Sequence, residues 1–167
     1  MLNSSIQEEG NIVELNDSKT ITEILNMSFI TVAQQFNFTT ENASEFPAFI
    51  KWHDIEKQLS NGCKLYGYSY NNQIVACVGY SHCKEQIYLV ERLAVLPEYR
   101  HLGIGKNLMK FIEDKICENG GNVAEIHVVD KNLILRDWYK KLGYLEARMD
   151  IINRLPFNSC VMRKMIL

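Results

Sequence analysis

The stretch from Gln86 to Val129 limits the fold of this chain more than any other part of it. Gln86 to Val95 is rich in apolar and β-branched residues and reads as a strand, which Pro97 ends. From Gly103 to about Glu118, Ile104, Leu108, Phe111, Ile112 and Ile116 fall on one helical face, with Lys106, Lys110, Glu113 and Asp114 elsewhere. Gly120-Gly121 closes that helix, and Val123 to Val129 reads as a strand again. Strand, amphipathic helix and strand make a right-handed crossover between parallel strands. The chain must therefore build a sheet with at least one parallel pair.

The remaining periodicities fill in the rest. Residues 1–10 are polar and expected to be loose. Ile12 to Leu15 reads as a first strand, and Asn16 or Asp17 as the N-cap of a helix with Ile21, Ile24, Leu25, Ser28, Phe29, Val32 and Phe36 at helical spacing. Thr39 to Asn42 interrupts it. A second helix is expected over about Phe46 to Leu59, stopped by Asn61-Gly62. Lys64 to Tyr70 and Ile74 to Tyr80, joined by Asn71-Asn72-Gln73, read as a hairpin, and Ser81 to Glu85 as a linker. Asn132 to Leu142 reads as a helix stopped by Gly143. Tyr144 to Ile152 and Ser159 to Ile166 read as two last strands. The order β-α-α-β-β-β-α-β-α-β-β has no repeat and no linker. It fits a single domain of mixed α/β (α+β) class over residues 1–167, a length that supports a substantial core.

Composition excludes several functions. Hydrophobic residues make up 47% and charged residues 23%, too much apolar content for a disordered chain. A net charge of −2 argues against general nucleic-acid binding. The longest apolar run, Ile74 to Tyr80, is too short to cross a bilayer, so no membrane partner is expected. Glu8, Glu9, Glu14 and Asp17 precede the first basic residue, Lys19, so the start does not read as a targeting segment. Five cysteines form no CxxC pair and read as inert thiols in a reducing compartment, which points to the cytoplasm. Residues 1–60 carry nine acidic and three basic side chains, whereas the rest of the chain is net positive. An acidic half facing a cationic substrate is one reading, and two solvated surfaces are the other.

The most informative stretch is Arg100-His101-Leu102-Gly103-Ile104-Gly105, between a strand and the start of a helix. Glycines let backbone approach a ligand closely, and a helix start offers unpaired N–H groups at a positive dipole end. With Arg100 these groups suit a diphosphate. Two other phosphate loops do not fit. A dinucleotide fingerprint needs a third glycine where Leu108 stands, and a P-loop needs Ser or Thr where Asn107 follows Lys106. A plain glycine-rich connection is the competing reading.

The wider stretch Leu93-Ala94-Val95-x-Pro97-Glu98-Tyr99-Arg100-x-x-Gly103-x-Gly105 resembles the acetyl-CoA-binding signature of the GNAT superfamily of N-acetyltransferases. A second block, Asn132-x-x-x-x-x-Trp138-Tyr139-x-x-x-Gly143-Tyr144, resembles the family's later helix. The resemblance implies the GNAT acyl-CoA N-acyltransferase fold, whose middle parallel strands, here 86–95 and 123–129, splay apart. It implies acetyl transfer from acetyl-CoA, a cosubstrate, to a primary amine by direct attack in a ternary complex. The core at about 86–144 would bind acetyl-CoA, and the part at about 16–62 would lie on the acceptor side.

Residue by residue, the resemblance implies that the amides of Arg100, His101, Leu102, Gly103, Ile104, Gly105 and Lys106 bind the CoA diphosphate. Leu93, Ala94 and Val95 would pair with the pantetheine arm as an added strand does, one N–H stabilising the oxyanion. Asn132 would bond the pantetheine side. Tyr139 would protonate the departing thiolate, since a phenol with a pKa of about 10 is a donor at neutral pH. A packed aromatic is its alternative. Glu91 is the base candidate, placed by alternation on the face of Leu89 and Leu93. An exposed or ion-paired residue beside Arg92, with water as base, is the alternative.

His53, His82, His101 and His127 lack ligand spacing, so no metal is expected, and nothing orients a base toward Cys83 or Cys117. A non-catalytic CoA-binding sensor and a protein or peptide N-acetyltransferase are the rival functions. A cationic small molecule or a peptide amine is the expected acceptor. A homodimer through the C-terminal strands is expected.

Overall fold

The computed structural model describes residues 10–167, so the start expected to be loose lies, but for Gly10, outside the described residues. The strands are β1 (Asn11–Leu15), β2 (Lys64–Tyr70), β3 (Gln73–Lys84), β4 (Ile87–Val95), β5 (Val123–Val129), β6 (Leu145–Asp150) and β7 (Ser159–Met165). The helices are α1 (Ser18–Phe36), α2 (Trp52–Ser60), α3 (Ile104–Glu118) and α4 (Leu133–Lys141), with a 3₁₀ turn at Pro97–Tyr99. The strands form one mixed sheet in the order β1-β2-β3-β4-β5-β7-β6. All neighbours run antiparallel except β4 and β5, the parallel pair that the crossover requires.

Contacts assign the helices to faces. Asn119, at the end of α3, donates to the Tyr80 hydroxyl at 3.1 Å, and Phe111 of α3 meets Tyr66 edge-on at 5.0 Å between ring centres. Tyr66, its partner Val78, and Tyr80 thus face α3. Gln58 of α2 bonds Glu91, which lies opposite Gly79, so the other face belongs to α1 and α2. On the α3 face, Leu108, Ile112 and Ile116 are fully enclosed and seat the helix on the sheet. Burying each such side chain stabilises the fold by about 1.5–3 kcal/mol.

Two elements differ from the sequence reading. The second helix begins at Trp52, not Phe46; residues 38–50 run in turns. Ala43 and Phe46 accept turn hydrogen bonds there, and Asn26 of α1 donates to the carbonyls of Pro47 and Ile50 at 2.8 and 3.3 Å. The segment builds a second core instead, in which Phe38 and Phe46 pack with Phe29, Phe157 and Val129. Likewise the linker 81–85 continues β3 as far as Lys84, and the chain turns at Glu85 with φ 50°.

Ile112→Ala is expected to lower stability by about 3 kcal/mol, through lost burial and a cavity that rigid neighbours cannot close. The urea midpoint measures it, and a loss under about 1 kcal/mol would contradict this seating of α3.

Candidate active site where two strands part

β4 and β5 pair only at Ile87, Tyr88 and Leu89 with Val123, Ala124 and Glu125. Both strands continue, to Val95 and Val129, without pairing to each other. A bulge in β4 accompanies the separation. Glu91 lies opposite Gly79 and Ala94 opposite Cys77, so Arg92 and Leu93 together oppose Val78. Arg92 takes φ 59°, a left-handed conformation uncommon outside glycine, and its carbonyl accepts from the buried Cys77 thiol at 3.3 Å. The bulge reverses alternation beyond it. Leu93 therefore turns to the α3 face, not to the face of Leu89 and Glu91 as strict alternation predicts, and Ala94 turns toward the α1 face.

The loop after β4 carries two left-handed residues, His101 (φ 64°) and Gly103 (φ 82°). Gly103 is the N-cap of α3 and supplies no side-chain cap. Among the described residues, the N–H groups of Gly103, Ile104, Gly105 and Lys106 have no backbone or side-chain acceptor. His101, Leu102, Gly103 and Lys106 are exposed, Ile104 is buried and Gly105 is half-buried. The arrangement offers converging donors and the positive end of a helix dipole to an anion.

Arg100 does something the sequence reading did not anticipate. Its guanidinium donates to the Val95 carbonyl at 3.1 Å, the Thr31 hydroxyl at 3.1 Å and the Ser28 carbonyl at 2.7 Å. It ties the loop to α1 and leaves an anion to the amides and Lys106.

α4 lies beside the start of α3. A Cβ on Gly105 would sit 3.5 Å from the Trp138 ring, and the Trp138 and Tyr139 rings are 4.9 Å apart. Asn132 is buried as the N-cap of α4, its Oδ1 accepting from Leu135 N at 3.2 Å. Tyr139 is 6% exposed, and burial raises its pKa well above the ordinary phenol value. Tyr144, whose ring is 5.6 Å from that of Tyr139, donates to Glu113 of α3 at 3.0 Å, and Lys164 donates to the other oxygen of Glu113 at 2.7 Å. That buried knot holds the helix pair together on the α3 face.

Glu91 sits on the opposite face. Its carboxylate accepts from Ser81 Oγ at 2.9 Å and Gln58 Nε2 at 3.3 Å, while Arg92 Nε donates to Gln58 Oε1 at 3.1 Å. Gln58 is a member of the site that sequence reasoning missed, since it lies on α2 with no motif around it. Burial pushes the nearby Cys63 thiol up to about 12, with the Glu91 charge adding to the effect, and pushes Cys77 to about 12. Neither is a thiolate near neutral pH. Among the described residues no group of three His, Cys, Asp or Glu could hold a metal ion. No described helix is long and apolar enough to cross a membrane.

Comparison with known proteins decides the family. Residues 21–144 match the acetyltransferase (GNAT) family. The chain belongs to that family. An uncharacterized N-acetyltransferase of Chlorobaculum tepidum is 28% identical over 91 residues, a match covering 54% of this chain and 56% of that protein. The match thus spans little more than half the relative's length. Among solved structures, the ribosomal-protein-S18-alanine N-acetyltransferase of Escherichia coli superposes with TM-score 0.73 at 16% identity, covering 94% of each chain. The PaiA N-acetyltransferase of Thermoplasma acidophilum, solved with coenzyme A, gives 0.71 at 18%, covering 94% of this chain and 99% of that one. A GNAT acetyltransferase of Elizabethkingia anophelis with acetyl-CoA bound gives 0.71 at 14%, covering 95% and 99%. At these identities the likeness establishes the GNAT fold.

The two loop glycines should respond oppositely to alanine. At Gly103 nothing lies within 4 Å of a new Cβ, so Gly103→Ala is expected to cost about 1 kcal/mol, purely through its left-handed backbone. Gly105→Ala is expected to be neutral or stabilising by up to about 1 kcal/mol, since its Cβ makes ordinary contact with Trp138. Thermal denaturation of both variants checks this; the reverse order would contradict the loop conformation.

Proposed function

We propose that this protein is an acetyl-CoA-dependent N-acetyltransferase that passes the acetyl group to a primary amine by direct attack in a ternary complex. The observation that carries the reading is the gap between β4 and β5, where the end of β4 at Val95 lies against Gly105 and the unpartnered amides of Gly103 to Lys106. The family relatives solved with coenzyme A or acetyl-CoA support the cosubstrate. The diphosphate rests on the amides at the start of α3, with Lys106 beside it. The pantetheine arm runs along Val95, Ala94 and Leu93, adding itself to the free edge of β4. The thioester then lies near the bulge at Arg92, where a main-chain N–H meets the carbonyl oxygen and stabilises the negative charge that develops on it.

Acid and acceptor chemistry are on opposite faces of the sheet. Tyr139, on the α3 face, gives its proton to the departing thiolate. Its buried hydroxyl is a phenol throughout the working pH range, so it is always loaded as a donor. The amine arrives from the α1/α2 face, where Glu91, with a donor on each oxygen, meets it as an anion. The region 16–62 forms that acceptor side and residues 86–144 the cosubstrate side. A cationic acceptor suits Glu91 and the acidic first 60 residues. The reaction needs no metal, nucleic acid or membrane. The chain works in the cytoplasm, and assembly into a homodimer engages the β6–β7 end of the sheet.

Calorimetric titration with acetyl-CoA, followed by thiol release with spermidine, kanamycin and a lysine-containing peptide, tests the proposal. Binding with turnover of at least one amine is expected. Binding without turnover would favour a non-catalytic sensor, and absence of binding would remove the cosubstrate. Tyr139→Phe is expected to lower kcat by about 10²-fold while calorimetric CoA affinity stays within about twofold. Unchanged kcat would remove the acid role.

A further inference from the structure

In a regular strand successive side chains point to opposite faces, so adjacent residues do not share a partner. At the bulge in β4 two of them do. Arg92 Nε donates to Gln58 Oε1 at 3.1 Å, and Gln58 Nε2 donates to Glu91 Oε2 at 3.3 Å. The left-handed backbone of Arg92, φ 59°, thus brings its guanidinium to the α2 side, where Glu91 already lies. Both side chains belong to half-buried residues. Among the described residues no ion pair joins the two opposite charges; the single amide of Gln58 stands between them.

That arrangement leaves donors and acceptors unused. A guanidinium is a planar fork of N–H donors, and Arg92 directs only Nε to Gln58; among the described residues Nη1 and Nη2 have no acceptor. The other charged groups around it are engaged elsewhere. Arg100 is bonded to Val95, Thr31 and Ser28, and Asp54 in the first turn of α2 accepts from Lys51 N at 2.8 Å. Glu91 takes Ser81 Oγ at 2.9 Å on one oxygen and Gln58 on the other, and each carboxylate oxygen has a second lone pair for an N–H donor. The Nη1–Nη2 edge of an Arg matches the two oxygens of a carboxylate with two parallel bonds. Side by side, Arg92 asks for a carboxylate and Glu91 for an ammonium.

We infer that the acceptor is a free α-amino acid, its carboxylate held by the Nη1–Nη2 edge of Arg92 and its ammonium by Glu91. This inference rests on the acetyl-transfer reading and narrows its acceptor. Spacing carries it. One carbon separates the amide oxygen of Gln58, which receives Arg92, from the nitrogen that serves Glu91. One carbon likewise separates the ammonium of an α-amino acid from its carboxyl group. A polyamine or an amino sugar has no anion for Arg92, and the first residue of a peptide has given its carboxyl to the peptide bond. Position agrees, since the bulge lies just beyond the last pairing of β4 with β5, where the thioester rests in the proposed reaction. The nitrogen of R–CH(NH3+)–COO− sheds two protons and bonds the thioester carbon, and the C–S bond breaks. One proton ends on the sulfur and the other in solvent, giving the N-acetyl amino acid, CoA-SH and one proton.

The test is thiol release from acetyl-CoA with a panel of L-α-amino acids and with the primary amide of the fastest, for wild type and Arg92→Gln. The wild type is expected to favour the acid over its amide by about 10²-fold in kcat/KM, and the variant to bring that ratio to within about threefold of one. A wild-type ratio near one overturns the inference, whether or not the variant folds. Equal losses on acid and amide in a variant that still binds acetyl-CoA, with the ratio kept, overturn it as well, since they make Arg92 a support of the bulge alone. Turnover of spermidine, kanamycin or the lysine-containing peptide with no amino acid acetylated overturns the inference and leaves the acetyl-transfer reading intact. A wild type inactive with every amine overturns both.

Discussion

The structure turns on one interruption of hydrogen bonding. A parallel pair in the middle of a sheet is normally buried and continuous, because each unpaired peptide group away from water costs free energy. Here β4 and β5 stop pairing after three residues on each strand, and both continue. What keeps them apart is local. The extra residue in β4 gives Arg92 a left-handed backbone, and Gln58 and the Cys77 thiol hold its side chain and carbonyl. On the other side β7 holds β5 along its whole length. The result is a slot lined by strand edges that want a partner, ending at a helix start that wants an anion. A thioester with a diphosphate at one end and an amide-bearing arm between fits both demands.

The slot also divides the chemistry between two compartments. On one face the Tyr144–Glu113–Lys164 knot fixes α4 and with it Tyr139, whose proton is secure because burial disfavours its loss. On the other face lie the charged groups, Glu91 with Gln58 and Ser81, and His127 with Glu125 and Arg163. In the proposed reaction the sheet keeps the proton donor for the leaving group apart from the charged groups that would meet the amine. Arg100 links the halves, since it belongs to the anion loop but is bonded to Ser28 and Thr31 of α1.

Much of this was legible in the residues. The crossover 86–129, the hairpin and the order of elements follow from periodicity, and the loop glycines and Pro97 mark the turn after β4. The functions of individual side chains were less legible because they depend on contacts across the fold. The pattern Arg-x-x-Gly-x-Gly does not reveal that its Arg points away to α1. Alternation gives the wrong face for Leu93, because nothing in Leu89 to Ala94 announces a bulge. Gln58 carries no motif, and only the packing of α2 on the sheet brings it to Glu91. The helix expected from Phe46 starts only at Trp52 because Phe46 is drawn into an aromatic cluster with Phe38 and Phe157, a contact across the fold that local sequence does not show.

The central claim is that coenzyme A lies in the slot between β4 and β5. A crystal structure of the chain with coenzyme A tests it most directly. The account predicts diphosphate oxygens within hydrogen-bond distance of the N–H groups of Gly103 to Lys106, with the sulfur between the Arg92 bulge and the hydroxyl of Tyr139. Coenzyme A bound anywhere else on the molecule, or β4 and β5 closed into a continuous ladder beyond Leu89, would contradict it.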